Sequence, residues 1–361
     1  MAERNTRGCA DDEAARRTAR GKEFRDALRR SRFLPASVLV LLVSAAAGVF
    51  AWSYIYAFAN PYPHSVPVAV VGTAEADHGV FLAGMDKALD MSLVPHRYAT
   101  YAQARNAVEE QTVFAIFDER PDRAVVLDVS SASGASVAEV LTATAPGVSK
   151  AIGVDVVVRD INPSQRGDPR GLAIFYITLA AVVVGFVGSI QLSVHANALG
   201  PIERIGFICA YSLLGAFTIA AVVDWLLGAL SLPFLQVWLT LALAMYVAST
   251  LFLMFRALIG RWAILPTWAV IVLIGNPASG GAVSWPLLPP FLRIVGPWLP
   301  SGAAIEAIHT EVYFPGHLHS LPFLVLAGWA VVATLVFCLI EYRKVRAHRS
   351  QRPTRSAPSR R

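Results

Sequence analysis

The chain is short of charge and short of cysteine, and it lacks the compact motifs that announce most enzymes. Asp, Glu, Lys and Arg make up 16% of its 361 residues, against about a quarter in soluble domains. With a mean hydropathy of +0.52, so few charges exclude an ordinary water-soluble protein and call for lipid as the solvent of part of the chain. The three cysteines, Cys9, Cys209 and Cys338, are scattered and form no CxxC pair. That excludes a disulfide framework and a dithiol redox site. No GxxxxGK[ST] occurs, so the chain has no evident ATP site of its own. HExxH and GxSxG are also missing. The nearest approach to a serine elbow is Pro277-Ala278-Ser279-Gly280-Gly281, which lacks the leading glycine and the strand–turn–helix setting. Catalysis is not expected, and no cofactor or resident metal is implied.

What the chain does have is charge at its ends and long apolar runs between them. The net charge is +6. Arg16, Arg17, Arg20, Lys22, Arg25, Arg29, Arg30 and Arg32 crowd the front, and Arg343, Lys344, Arg346, Arg349, Arg352 and Arg355 crowd the back. Basic ends suit nucleic acid, but both of these clusters abut apolar runs. Cytoplasmic flanks of membrane spans are the better reading, and no nucleic-acid partner is expected.

In chain order, residues 1–33 are a basic cytoplasmic tail. Its KEFRDALRRSRF stretch places Phe24 and Leu28 on one helical face with arginines around it. It fits either an amphipathic helix lying on the membrane or an inner extension of the first span. Residues 34–59 are that span, with Trp52, Tyr54 and Tyr56 as its interfacial aromatics. Ala57-Phe58-Ala59 resembles a signal-peptidase site, yet the apolar run is too long for a signal peptide, so an uncleaved anchor is expected.

Residues 60–169 read as a small α/β module. SVPVAVVG, VFAIFDER, RAVVLDVS and VDVVVRD have the valine-rich character of strands. GVFLAGMDKALDMS, YAQARNAVEEQ and ASVAEVLTATAPGVSKAIG have helical spacing. Residues 170–342 then read as five further spans: Gly171–Val194, Ile205–Leu230, Val237–Phe255, a short Ala263–Gly275, and Leu321–Ile340. Between the last two, residues 276–318 are apolar but broken by Pro and Gly. LLPPFLRIVGPWL there fits a half-membrane re-entrant or interfacial helix. The expected fold is thus an α-helical polytopic membrane protein of six spans with an inserted small α/β extracytoplasmic domain. An even number of spans puts both termini on one side, and both are basic, so both are cytoplasmic.

A few polar residues stand out inside this layout. Asp224 is an acidic group within an apolar run, near the outer end of its span, where interfacial exposure is a better reading than proton coupling. Glu306 and His309 share a helical face, and Glu311, His317 and His319 follow. A metal site could be drawn from these, but polar residues also gather where a span meets water, and that is the reading preferred. Gly185 and Gly188 suit close helix packing.

Four stretches together resemble the membrane subunits of type-2 ABC exporters, in the branch with a large domain after the first span that includes the phage-infection-protein (Pip)-like proteins. They are PVAVVG after the first span, ARNAVEEQTVFAIFDE, DINPSQRGDPRG before the second span, and GNPASGG followed by PLLPPFLRIVGPWLPSGAAIEAI before the last. The resemblance covers residues 34 to 342. The strand VFAIFDERPD lacks the family's preceding glycine pair and following "IP", and the exported domain is compact beside the long insertions of Pip-like members. The resemblance implies a homodimer in the plasma membrane lipid bilayer and a separate ABC ATPase subunit. It implies that the loop containing His195, Asn197, Glu203 and Arg204 couples to that ATPase. It also implies that an outer hairpin with Asn276, Pro277, Ser279, Gly280, Pro300, Ser301 and Gly302 closes the pathway of a lipophilic or peptide-like cargo. A different class of function, an envelope receptor or scaffold that transports nothing and acts through the α/β domain, fits the same layout.

Overall fold

The computed structural model describes residues 33–59, 61, 63–71, 79–90, 92–119, 124–196 and 198–350. The amphipathic stretch expected before Phe33, Asn197, and the basic tail beyond Ser350 lie outside the described residues. The chain divides after Trp52 into two compact units. The first contributes most of helix α1 (Leu34–Phe58), which is apolar on every side. Leu39, Leu41, Val43 and Trp52 are exposed, as lipid-facing side chains are.

In the second unit, a five-stranded sheet comes first: β1 (Val66–Val71), β2 (Leu93–Tyr98), β3 (Ala115–Glu119), β4 (Ala124–Val129) and β5 (Asp155–Asp160). Its order is β2-β1-β3-β4-β5. All neighbouring pairs are parallel except the β3–β4 pair, which is antiparallel. Parallel pairs need crossovers, and three helices supply them: α2 (Gly79–Ala88), α3 (Tyr101–Glu109) and α4 (Ala135–Ile152). The pleat sorts β1 between two cores. Val66, Val68 and Val70 point toward Phe81, Met85 and Leu141 of α2 and α4, while Ala69 points toward Ala104 and Val108 of α3. Strand β2 has no counterpart in the sequence-based reading. It is an edge strand whose Val94, Pro95, His96 and Arg97 are all exposed, so it carries no apolar alternation.

The rest of the unit is helical: α5 (Ala173–His195), α6 (Pro201–Ala221) continued by a π-turn at Val222–Leu226, α7 (Phe234–Ile259), α8 (Ile264–Trp268) continued by a π-turn at Ala269–Gly275, α9 (Pro290–Val295), α10 (Pro300–Tyr313) and α11 (Ser320–Ser350). Helix α7 is central, packed against α5, α6, α10 and α11. At Gly185 of α5 an added Cβ would stand 2.5 Å from the Met245 carbonyl oxygen of α7. The hydroxyls of Ser249 and Tyr211 converge on the Gly185 carbonyl, each at 2.9 Å. Small residues that let backbones touch, with hydroxyls as cross-links, are the way helices associate without water.

Among the described residues, five helical stretches are long and apolar enough to cross a membrane: Ala36–Phe58, Ala173–His195, Pro201–Leu226, Phe234–Gly275 and Ser320–Lys344. The architecture is that of a mostly helical, multi-pass membrane protein carrying an α/β portion. The expected span Ala263–Gly275 is not a helix of its own. It is joined to α7 through Gly260, whose φ of +64° suits glycine, so that Phe234–Gly275 forms one interrupted stretch of 42 residues. On one side of that break, Arg256 donates to the Ser193 carbonyl and Lys344 to the Ala257 carbonyl, each at 3.2 Å. On the other side, Ser53 donates to the Leu273 carbonyl at 2.6 Å and Asn276 to the Tyr54 hydroxyl at 3.3 Å.

The segment LLPPFLRIVGPWL, expected to fit a half-membrane re-entrant or interfacial helix, is helical from Pro290 to Trp298. That segment holds the six residues of α9 and two 3-10 turns, and its prolines withhold amide hydrogens. The long helix of the region follows it, as α10, buried along most of its length.

Candidate functional site

The α/β portion and the helices are stitched together by hydrogen bonds from residues far apart in sequence. Ser136, in the first turn of α4, donates to the Ser284 hydroxyl and accepts from the Ser284 amide, both at 2.8 Å. The His64 amide donates to the Pro286 carbonyl at 2.7 Å, and Arg293 of α9 donates to the His64 carbonyl at 2.8 Å. Between these, Leu287 is 1% exposed and belongs to the core formed by β1, β4, α2 and α4. At the exit from β5, Asp168 caps α5 by accepting from the amides of Leu172 and Ala173 at 3.0 and 2.8 Å. Gln165 exchanges two hydrogen bonds with the Ser231 backbone, in the turn between α6 and α7.

This stitching leaves a cavity of about 1030 Å³. Its walls are the start of α4 (Ser133, Gly134, Ser136), the segment Arg170–Leu172, the run Gly280–Trp285, and one face of α10. Ile305, Glu306, His309 and Tyr313 supply that face, at the three- and four-residue spacing that lines up side chains on a helix. The volume suits a small organic ligand or a short chain segment.

Glu306 is the charged centre of the cavity. It lies deep in the protein, but 26% of its side-chain surface stays accessible because it faces the open volume. Trp285 donates its indole hydrogen to Glu306 at 3.4 Å, and the His319 ring stands 3.7 Å away. Burial pushes the Glu306 carboxyl up, but His319, His309 and Trp285 together outweigh it and hold the group below the usual carboxylate range. Burial likewise pushes His309 down, with Glu306 opposing. The hydrogen bond to Glu306 holds His319 above the ordinary histidine value. At neutral pH the wall therefore presents a carboxylate beside an uncharged imidazole. Arg170 and Glu139 stand exposed on the cavity lining. The arrangement can bind a molecule that offers hydrogen-bond donors to Glu306 and apolar surface to Ile305 and Trp285. Among the described residues no group of three or more His, Cys, Asp and Glu is placed to hold a metal ion.

The residues singled out for the hairpin do come together, although they mostly build the wall rather than face the cavity. Asn276, Pro277, Ser279, Pro300, Ser301 and Gly302 are buried. Ser279 donates to the Asn276 carbonyl at 2.6 Å and Ser301 to the Ile271 carbonyl at 3.3 Å. Gly302 lies so close to the Gly296 carbonyl that a Cβ would stand 2.2 Å from its oxygen. Gly280, at φ +78°, lies against the Trp285 ring and alone of this set borders the cavity.

Of the residues singled out for the loop after α5, His195, Glu203 and Arg204 make local hydrogen bonds. Glu203 caps α6 by accepting from the Gly200 amide at 2.7 Å, Arg204 donates to the Leu199 carbonyl at 3.1 Å, and the His195 ring meets the Gln191 carbonyl at 3.1 Å. Their neighbour Ile202 is 84% exposed, the most exposed large apolar side chain described. Asp224 sits half-buried in the π-turn that ends α6, away from the cavity. Ser136, Ser284 and Trp285 carried no signal in the sequence, since each matters only through a partner folded against it from afar.

Comparison of the chain with protein-family models, with curated proteins and with solved structures gives no match.

Proposed function

We propose that this chain is the membrane-spanning subunit of an ABC-type exporter in the plasma membrane, working as a homodimer and driven by a separate ATPase. The observation that carries the reading is the cavity around Glu306, set where the α/β portion meets the interrupted segment between the last two apolar stretches. In this reading Phe234–Gly275 makes two crossings. Arg256 and Ala257 meet the ends of α5 and α11 that lie away from the sheet, whereas Leu273 and Asn276 meet Ser53 and Tyr54. Six crossings place both basic ends inside and the α/β portion outside. The turn between α5 and α6 then faces the cytoplasm, and Ile202 offers a partner an apolar contact. The chain has no nucleotide motif, so the energy comes from that partner. The α5–α7 contact at Gly185 is closed to any added side chain, and in this reading cargo passes between two copies and the cavity receives it. The mixed lining suits a lipophilic or peptide-like molecule.

One observation favours a receptor or scaffold instead. The start of α4 forms a wall of the cavity, so the α/β portion could sense a ligand that is never moved. Crosslinked purification followed by mass spectrometry separates the two readings. The exporter reading expects an ATPase to copurify with the chain and to be lost, by tenfold or more, from Ile202→Glu, while that variant still inserts in the membrane. It also expects a cysteine replacing exposed Lys87 to react from outside and one replacing Ile202 from inside. Recovery of no ATPase, with a ligand held by wild type and lost on Glu306→Ala, supports the receptor.

A further inference from the structure

Helix α10 has two faces, and the cavity uses only one. The other carries Ala304, Ala307 and Glu311, at helical spacing, against the bundle. Glu311 is 5% exposed. One carboxyl oxygen accepts from the Thr240 hydroxyl of α7 at 2.8 Å, and the other, Oε2, is buried with no hydrogen-bond partner. An ionised carboxylate accepts at two oxygens and donates nothing, so a single hydroxyl leaves it badly under-solvated.

Among the described residues, no cation comes to its aid from the elements packed against α10. Helix α5 has no Asp, Glu, Lys or Arg, and its titratable groups are Tyr176, which is exposed, and His195 at the end away from the sheet. Helix α7 has only Arg256, sixteen positions past Thr240, and Tyr246, which is engaged with Thr334. Helix α11 carries its charges from Glu341 onward, with Cys338 just before them, and the turns at Ala269–Gly275 and Gly296–Trp298 have none. On α10 itself Glu306, His309 and Tyr313 belong to the cavity face, and His319, before α11, is beside Glu306.

We propose that Glu311 is a proton-binding site, and that its proton keeps α10 seated on α7. In the protonated form Oε2 needs no partner cation and the helix stays packed. When the proton leaves, the charge must be hydrated, and α10 lifts from α7 to admit water. Because the opposite face of the same helix is a wall of the cavity, loss of one proton reshapes the site around Glu306. Burial pushes the Glu311 carboxyl up to about 6, with the Thr240 hydroxyl opposing, which puts the exchange within reach of mildly acidic surroundings. The proposal stands whether the cavity belongs to an exporter or to a receptor.

The test uses the full chain in lipid nanodiscs. Infrared difference spectra of wild type between about pH 5 and pH 7 should lose a protonated-carboxyl band that Glu311→Gln lacks at every pH. Thr240→Val removes the carboxylate's one donor and should raise the midpoint of that loss by about one unit or more. Hydrogen exchange of the α10 amides, corrected for intrinsic rates, should quicken at least fivefold above the midpoint in wild type and stay slow in Glu311→Gln. A band that does not change with pH, a band that survives Glu311→Gln, or α10 exchange that is the same in both proteins would overturn the proposal.

Discussion

At the scale of single residues, the α/β portion contains one charge cluster whose parts are unequal. Asp128 on β4 is fully buried and takes a bidentate contact from Arg159, its register partner on β5, at 2.9 and 3.2 Å. Tyr101, at the start of α3, donates to the same carboxylate at 2.7 Å. The Arg159 side chain is 49% exposed. Losing Asp128 therefore frees an arginine into water, whereas losing Arg159 strands a buried carboxylate on one hydroxyl. Arg159→Ala should cost about 3 kcal/mol and Asp128→Asn about 1–2 kcal/mol, with the double variant closer to Asp128→Asn than to the sum. Thermal unfolding of the full chain in detergent measures all three. Equal costs for the two single variants would refute the asymmetry. Neither partner looked special in the sequence. The two residues lie 31 positions apart.

At the scale of elements, the contact between α5 and α7 is set by the absence of a side chain. An added Cβ at Gly185 would meet backbone, which cannot rotate away. Gly185→Leu should destabilise the bundle by about 2–3 kcal/mol, while Gly206→Ala, where a Cβ meets nothing, should be close to neutral. A thermal-stability assay in detergent distinguishes them, and similar losses at both sites would show that this contact does not limit packing. Elements of this kind were largely legible in the sequence, because lipid leaves its mark as uncharged runs and sheet cores as valine alternation. Four of the five strands, all three helices of the α/β portion and the long apolar helices stand where composition and periodicity put them. What escaped were elements whose residues obey a different demand. Strand β2 buries only Leu93, and its Pro95 is tolerated because it lies on an edge. Helix α10 reads as an ordinary polar-spotted helix, since nothing in AIEAIHTEVY says that one of its acids faces a cavity and the other a helix.

At the scale of the whole molecule, the titrating groups of the cavity give opposing pH dependences. Glu306 sits below its ordinary range, so the stability it adds is complete above about pH 4.5 and is lost as pH falls further. His309 is also lowered, so its contribution is complete above about pH 6.5 and shrinks on acidification. His319 is raised, so its share is present below about pH 6.5 and fades as pH climbs past that value. The two histidines act in adjoining windows, His309 below about pH 6.5 and His319 above it, so their joint contribution is greatest near that value, and Glu306 adds its loss below about pH 4.5. The melting temperature of wild type should therefore fall steeply below about pH 4.5, and Glu306→Gln should flatten that acid limb. An unchanged limb in Glu306→Gln would mean that the carboxyl is not held by its neighbours.

Leu287 carries a consequence for how such a molecule is made. Its side chain completes a core whose other fully buried members precede it by more than a hundred positions. A polypeptide emerging from the ribosome front end first delivers every strand long before it delivers that plug. The nascent sheet therefore waits with a hole in its side, a natural place for a chaperone to hold, until synthesis has reached the penultimate helix.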